Sequence, residues 1–138
     1  MKAYFGRRYM FSASHRLHAA ELSAEENRAA YGKCNNPHGH GHNYVVEVLV
    51  GGPVDEATGM VMNLVEVDKA VRSQVLDRFD HANLNLDVAF AARVPTTENL
   101  CHVVYDLLRD ALPLLERVRV EETENNFFEM EHPERCSR

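Results

Sequence analysis

The spacing of apolar residues, and the order in which strand-like and helix-like spacings follow one another, most constrains the fold of this 138-residue chain. Apolar and polar residues alternate near both ends, which is typical of strands, whereas two segments in between repeat apolar residues with a helical period. Two helices on one face of a four-stranded antiparallel sheet, in the order ββααββ, is the compact α+β arrangement. We predict strands at 9–15, 43–50, 117–123 and 127–130, a short capped helix at 24–31, and long helices at about 65–78 and from 96 or 97 to the proline at 113.

Length, charge and cysteine usage exclude several classes of protein. We expect one domain over residues 1–138, with a disordered tail at 132–138. The formal charge of −6 argues against nucleic-acid or anionic-membrane partners, which need clustered Lys and Arg. The three cysteines lack the spacing of a disulfide framework, and the sequence shows no apolar leader or membrane-spanning segment. We therefore expect a cytoplasmic protein whose cysteines are reduced.

Histidines are concentrated around the first two predicted strands. His40 and His42 lie two residues apart at the entry to the second strand, so they share a face, and His15 ends the apolar row of the first strand. Three histidines with an open fourth position form the ligand set of a catalytic Zn²⁺ site. The alternative is a structural role for loop histidines, and His38 replaces His42 as a ligand if the loop register shifts by two.

Cys34 lies in a polar loop six residues before His40. At that spacing its sulfur can reach a metal-bound substrate, and a thiolate is a competent general base. In isolation, a loop cysteine is better explained as a bystander thiol.

Two carboxylates also stand out. Asp80 precedes His81 directly after the first long helix, where it either orients the imidazole or caps the helix end. Glu122 shares the row of Val118 and Val120 and therefore faces the covered side of the sheet. A core-facing carboxylate needs a partner, either a basic side chain or the paired N–H groups of a ligand.

Seven motifs follow one another along the chain within residues 5–130. They are FSASHRL at 11–17, GKCNNP at 32–37, GHGHNY at 39–44, GMVMNL at 59–64, DHANL at 80–84, PTTENL at 95–100 and ETENN at 122–126. Together they resemble the family of 6-pyruvoyl-tetrahydropterin and 6-carboxy-tetrahydropterin synthases. The resemblance implies the tunnelling fold, in which three subunits close their sheets into a β-barrel and two trimers stack, with active sites at subunit boundaries.

The same resemblance implies a role for each candidate residue. It implies Cys34 as the proton-abstracting base, Asp80 with His81 as a proton relay, and Glu122 as the anchor of a pterin ring. Two further sets complete the implied site: the zinc ligands His15, His40 and His42, and the pocket-lining residues Thr96, Thr97 and Glu98.

The implied reaction is a lyase reaction, the conversion of 7,8-dihydroneopterin triphosphate to 6-pyruvoyl-tetrahydropterin with loss of triphosphate. No nicotinamide or flavin is needed, and the chain has no glycine-rich dinucleotide motif. Arg16, Arg28 and Lys33 are candidates for holding the triphosphate, although Arg28 is better explained as solvated surface.

His38 departs from the asparagine expected in the pyruvoyl branch. Together with Cys34 and His40 it creates a shorter spacing that resembles 6-carboxy-tetrahydropterin synthase of queuosine biosynthesis, which acts on the same substrate and releases acetaldehyde and triphosphate. We favour the pyruvoyl branch because the segments at 35–37 and 62–64 resemble it. A pterin-binding zinc protein without catalysis and a nucleic-acid module are weaker alternatives.

Overall fold

The computed structural model describes residues 1–133, which form one sheet with helices. The five strands follow the order β3-β1-β2-β4-β5 across the sheet. Neighbours are antiparallel except β3, which pairs with β1 in parallel. The strands are β1 (Ala3–His15), β2 (His40–Gly52), β3 (Ala82–Asn83), β4 (Leu115–Glu121) and β5 (Phe127–Glu131).

The prediction of a four-stranded, wholly antiparallel sheet was wrong about the edge beside β1. There β3 adds a fifth strand through two residue pairs, Ala13 with Ala82 and Ser14 with Asn83. A two-residue strand is too short to show any alternation in the sequence. The main-chain N–H of His81 donates to the carbonyl of Ser12, and this tertiary contact brings β3 to the edge.

The helices are α1 (Ala24–Tyr31), α2 (Leu64–Val71), α3 (Asp77–Phe79) and α4 (Thr97–Arg109). A π-helical turn at Arg72–Leu76 joins α2 to α3, so the predicted first long helix is present but interrupted. The apolar residues of this helix recur every four positions, and in a regular α-helix each such step turns the apolar stripe by about 40° around the helix axis. The wider i→i+5 turn offsets that rotation. The whole stripe is consequently buried, at Val67, Val71, Val75 and Phe79.

Most of the core lies between the helices and one face of the sheet. On that face the central strand β2 contributes Tyr44, Val46, Val48 and Val50, each no more than 1% exposed. The opposite face carries paired charges, including Arg8 with Glu47, and Arg119 with both Glu121 and Glu129. The apolar face therefore holds the helices, while the other face remains polar.

Strand register brings the predicted ligands to one end of the sheet. His15 pairs with His40, and Ala13 pairs with His42. At the same end, Glu122 directly follows β4. Within 1–133 no helix has the length and apolar character that a membrane crossing requires.

The chain terminus is described as far as Pro133. The main-chain N–H of His132 donates to the carbonyl of Glu116 at 3.0 Å, which ties the end of β5 to the start of β4. Most of the tail that we expected to be disordered, residues 134–138, lies outside the described residues.

Candidate metal centre and active site

Four side chains converge where β1, β2 and β4 end. His15, His40, His42 and Glu122 each offer one ligand atom, and these atoms lie within 4.8 Å of one another. The Nε2 atoms of His15 and His40 are 3.0 Å apart. Glu122 Oε1 lies 3.1 Å from His42 Nε2 and 3.6 Å from His15 Nε2. The arrangement is a candidate metal centre of three imidazoles and one carboxylate.

Contacts outside the cluster orient His15. Its Nδ1 lies 2.7 Å from the carbonyl oxygen of Pro95, just before α4. A carbonyl can only accept, so Nδ1 carries the proton and Nε2 presents its lone pair to the cluster. The Tyr44 hydroxyl is a further 3.3 Å neighbour of Nδ1. Such outer partners are what fix the tautomer and ring orientation of metal-binding histidines.

The electrostatics favour neutral imidazoles. Burial lowers the pKa of His15 and of His42, against a smaller opposing influence of the Glu122 carboxylate on each. Burial also raises the pKa of the Tyr44 hydroxyl, with the charges of Glu122 and Cys34 acting in the same direction. Neutral imidazole is the form that binds a metal cation.

The site also contains polar atoms without hydrogen bonds. Among the described residues, the buried atoms His40 Nδ1, His42 Nε2 and Thr97 Oγ1 make none, although the Glu122 carboxylate lies 3.1 Å from His42 Nε2. An unpaired buried polar atom is unfavourable unless a ligand completes it. A cation beside His42 Nε2 would satisfy that atom, so three nitrogen donors with a nearby carboxylate fit a Zn²⁺ ion.

Cys34 lies in the 3₁₀ turn Gly32–Asn35 and is partly buried. Its carbonyl oxygen accepts from the main-chain N–H of Leu17 at 2.9 Å, which fixes the turn against the chain just after β1.

Asp80 and His81 form a pair at the edge of β1. The Asp80 carboxylate accepts from the Ser12 main-chain N–H at 2.9 Å and lies 3.0 Å from His81 Nδ1. The Ser12 N–H, more than the imidazole, lowers the pKa of Asp80. His81 adopts a left-handed φ of 60°, and 83% of its side chain is exposed. Within 1–133, no hydrogen bond or ion pair joins this pair to Cys34.

The three residues that begin α4 have different environments. The Thr96 hydroxyl caps the helix by accepting from the N–H of Asn99 at 3.2 Å. Thr97 is buried, with the unpaired hydroxyl already described, whereas Glu98 is exposed in the first turn. Thr97 is thus the member of this segment with unused hydrogen-bonding capacity inside the protein.

Sequence analysis missed several supporting groups. Asn126 Nδ2 donates to Glu122 Oε2 at 3.0 Å and steadies that carboxylate across a turn. Tyr44 continues the alternating row of His40 and His42, so the row pattern was a signal for it. The carbonyl of Pro95 had no sequence signal, because only chain folding brings it to His15.

The fold and site define an α+β protein whose sheet end carries three histidines and a carboxylate that could bind a metal ion. The family model for 6-pyruvoyl tetrahydropterin synthase matches residues 4–133. The chain belongs to the 6-pyruvoyl tetrahydropterin synthase family.

Individual relatives agree with this assignment. The human 6-pyruvoyl tetrahydrobiopterin synthase is 51% identical over 128 residues, covering 91% of this chain and 88% of the relative. A putative 6-carboxy-5,6,7,8-tetrahydropterin synthase of Archaeoglobus fulgidus is 34% identical over 112 residues, covering 81% and 90%. The solved 6-pyruvoyl tetrahydropterin synthase of Caenorhabditis elegans superposes with a TM-score of 0.90 at 41% identity, covering 96% of each chain.

Proposed function

We propose that this chain is a lyase that converts 7,8-dihydroneopterin triphosphate to 6-pyruvoyl-tetrahydropterin and triphosphate. The observation that carries the proposal is the cluster of His15, His40, His42 and Glu122 in a chain of this family. The functional groups of the site suit a pterin triphosphate. A carboxylate can accept from the ring N–H groups, the imidazoles can bind a metal, and a thiol can remove a proton.

Zn²⁺ is the proposed metal, held by His15, His40 and His42. When bound, it would polarise substrate oxygens and make the neighbouring carbon-bound proton more acidic. The carbonyl of Pro95 keeps His15 in the tautomer that metal binding requires. Tyr44 packs beside the cluster, its ring centroid 5.5 Å from that of His42.

Cys34 is the proposed base, and its sulfur would accept the proton removed from the substrate side chain. Glu122 would receive the paired N–H groups of the pterin ring, as a carboxylate does in a bidentate contact. The unpaired hydroxyl of Thr97 supports its placement in the pterin pocket, with Thr96 holding the helix end and Glu98 at the rim. Tautomerisation then reduces the ring internally, and triphosphate leaves.

The pyruvoyl product is favoured over the carboxy product. The human pyruvoyl enzyme is 51% identical, whereas the putative carboxy enzyme is 34% identical. Among the described residues the cluster includes His42 and not His38, which supports the ligand set expected for the pyruvoyl branch.

The direct test is product analysis with the parent chain and Cys34→Ala. The parent should release triphosphate from dihydroneopterin triphosphate, and mass spectrometry should detect a pyruvoyl side chain. Cys34→Ala should bind zinc normally and turn over far more slowly. A carboxyl product would move the chain to the other branch, while tight pterin binding without turnover would indicate a binding protein.

The complete site is proposed to form between subunits. Among residues 1–133, the outer edge of β1 is paired with β3 only at Ala13 and Ser14, and β5 ends the sheet on the other side. Open edges favour pairing with further strands, and edge pairing of three copies would close a barrel. His81 is exposed beside the β1 edge, so assembly can place its imidazole near Cys34 of a neighbouring copy.

Mixing inactive variants tests this assembly. Cys34→Ala and His81→Ala chains, unfolded together and refolded, should regain about a quarter of parental activity if each site combines two subunits at random. Each variant refolded alone is the control. No recovery in the mixture would place Cys34 and His81 of each site in one chain.

A cytoplasmic location is proposed on chemical grounds. Cys34 and Cys101 are free thiols in the described chain. Free thiols persist in reducing compartments, and the proposed base must stay reduced to act.

A further inference from the structure

The residue after Cys34 has a buried amide that ties its turn to another segment. Asn35 ends the 3₁₀ turn Gly32–Asn35, and only 7% of the residue is exposed. Its Nδ2 atom lies 2.7 Å from the carbonyl oxygen of Leu17 and 3.0 Å from Nδ1 of His18. We call these two contacts the amide clamp. They join the turn that carries Cys34 to the segment that follows β1.

Hydrogen-bonding chemistry fixes both side chains of the amide clamp. A carbonyl oxygen can only accept, so the amide nitrogen of Asn35, and not its amide oxygen, faces Leu17. The same nitrogen has a second hydrogen, which His18 Nδ1 accepts. His18 accordingly carries its own proton on Nε2. The clamp therefore needs a donor at position 35 and an acceptor at position 18.

The main-chain carbonyls of the turn reinforce the amide clamp. The carbonyl of Cys34 accepts from the Leu17 N–H at 2.9 Å, and the carbonyl of Asn35 accepts from Arg16 Nε at 3.1 Å. Residues 16–18 thus all hold the turn. Cys34 is fixed both at its own carbonyl and at the residue that follows it.

Segment 16–18 also connects the turn to the candidate metal centre, because it directly follows His15. Asn85 holds this segment from another part of the chain. The Arg16 N–H donates to Asn85 Oδ1 at 2.7 Å, and the Arg16 carbonyl accepts from Asn85 Nδ2 at 2.9 Å. Since the segment has this separate support, movement of the turn relative to it would change the distance between the Cys34 sulfur and the His15 imidazole.

We infer that Asn35 is a positioning residue for Cys34 and acts through the amide clamp with His18. The inference rests on the proposed function, because Cys34 is the proposed base of that reaction. A base must lie within hydrogen-bond reach of the proton that it removes, and a misplacement of about 1 Å can cost about 100-fold in rate. Neither Asn35 nor His18 needs to touch the substrate, so loss of the clamp should slow proton removal without weakening pterin binding.

The test compares Asn35→Ala with Asn27→Ala, because each change removes a buried amide. Asn27 Nδ2 donates to the carbonyls of Ala19, Leu22 and Ser23, so it secures the loop before α1. The turnover number of zinc-loaded Asn35→Ala should fall about 10- to 100-fold, whereas that of Asn27→Ala should stay within about twofold of the parent. Both variants should unfold at lower urea concentration, because each leaves buried carbonyls unpaired.

Further readouts separate positioning from a general loss of structure. With substrate deuterated at the side-chain carbon that loses its proton, Asn35→Ala should show a larger isotope effect on kcat than the parent, because proton removal has become slower. Its zinc content and its dissociation constant for phosphate-free 7,8-dihydroneopterin should change less than about twofold. Alkylation of Cys34 by iodoacetamide, followed by peptide mass spectrometry, should become several-fold faster as the turn loosens.

Two substitutions at position 18 test the other half of the amide clamp. His18→Asn keeps an acceptor oxygen close to the position of Nδ1, whereas His18→Phe keeps a ring without an acceptor. His18→Asn should retain most of the parental turnover number, and His18→Phe should lose about three- to tenfold. His18 is exposed, so this pair tests the inference even if Asn35→Ala folds poorly.

The inference is overturned if Asn35→Ala and Asn27→Ala change turnover and Cys34 alkylation alike, or if both rates in Asn35→Ala match those of the parent. Equal turnover by His18→Asn and His18→Phe would overturn the part assigned to His18. Absence of turnover by the parent chain would instead defeat the proposed function, and the alkylation comparison would still show whether the amide clamp holds Cys34.

Discussion

His15 Nδ1 lies 2.7 Å from the carbonyl oxygen of Pro95, joining the end of β1 to the residue that precedes the cap of α4. This one contact couples the orientation of a candidate metal ligand to the segment that begins α4. A shift of α4 would rotate the imidazole, and a shift of the imidazole would disturb the start of the helix.

Removing one cluster histidine should release the metal. In His42→Ala the cluster keeps only two of its three imidazoles, and the loss of zinc affinity should exceed the about 10- to 100-fold typical of removing an outer partner. Zinc per chain after dialysis, measured by atomic absorption, is the readout. His102→Ala removes an exposed imidazole on α4 and should retain zinc. Equal zinc in both variants would contradict the assignment.

Glu122→Gln should separate ring anchoring from metal binding. The amide retains the size of the side chain but loses the charge that two pterin N–H groups require, so pterin affinity should fall by about 10- to 100-fold. Zinc content should remain near the parental level because three imidazoles still hold the ion.

Glu124→Gln is the matched control for this change, because Glu124 is exposed on the neighbouring turn. It should bind pterin as the parent does. Parallel loss of zinc and pterin in Glu122→Gln would identify Glu122 as a metal ligand instead.

Substitutions at two glycines with positive φ separate the effect of backbone strain from the effect of a steric clash. Gly39 and Gly32 have φ values of +73° and +56°, but only at Gly39 would a Cβ meet another group, the His15 carbonyl oxygen at 3.0 Å. Gly32 combines its positive φ with a ψ of −127°, a combination that residues with a Cβ rarely adopt, so Gly32→Ala should lose about 1 to 3 kcal/mol of unfolding free energy from backbone strain alone.

Gly39→Ala should lose more stability than Gly32→Ala and should also weaken zinc binding, because the new methyl group pushes on the strand end that carries His15. Urea unfolding and zinc titration together measure the two effects. Identical values for both variants would show that the close approach at Gly39 has no consequence for the site.

The ion pair of Asp87 and Arg78 should stabilise the protein in a pH-dependent way. Nε and Nη2 of Arg78 donate to the two carboxylate oxygens at 2.9 and 2.7 Å. These bonds lower the pKa of Asp87 against an opposing influence of burial. Asp87→Asn should therefore lower the unfolding free energy at pH 7 by about 1 to 3 kcal/mol.

The sign of the pH dependence follows from that depressed pKa. The Asp87 contribution is fully present above the unfolded-state value of about 3.9 and is lost as pH falls through the lower folded-state value. Urea unfolding at pH 7 and near pH 3 should show the difference between parent and Asp87→Asn shrinking on acidification. Asp77→Asn alters an exposed carboxylate and should show little difference at either pH.

Periodicity predicted the local elements well. The short helix begins at Ala24 with the capping box of Ser23 and Glu26, and the buried stripe from Val67 to Phe79 is helical. Both features depend on residues close in the chain, so their signals are complete within a short window. The parallel pairing of β3 with β1 depends on a partner strand far away in the chain, and no local pattern predicted it.

The same division applies to the site. Alternation places His40 and His42 on one face, and the row through Val118 and Val120 aims Glu122 at the covered side. These directions follow from strand geometry, which depends only on residue spacing. Sequence therefore identified the donors and the faces on which they lie.

Convergence of those donors is a property of the folded chain. The pairing of His15 with His40 and the contact of His15 with the Pro95 carbonyl require segments up to 80 residues apart to meet. Main-chain carbonyls are chemically alike at every position, so no residue type reveals which one will orient an imidazole. Residue types define the available chemistry, whereas tertiary packing determines which groups act together.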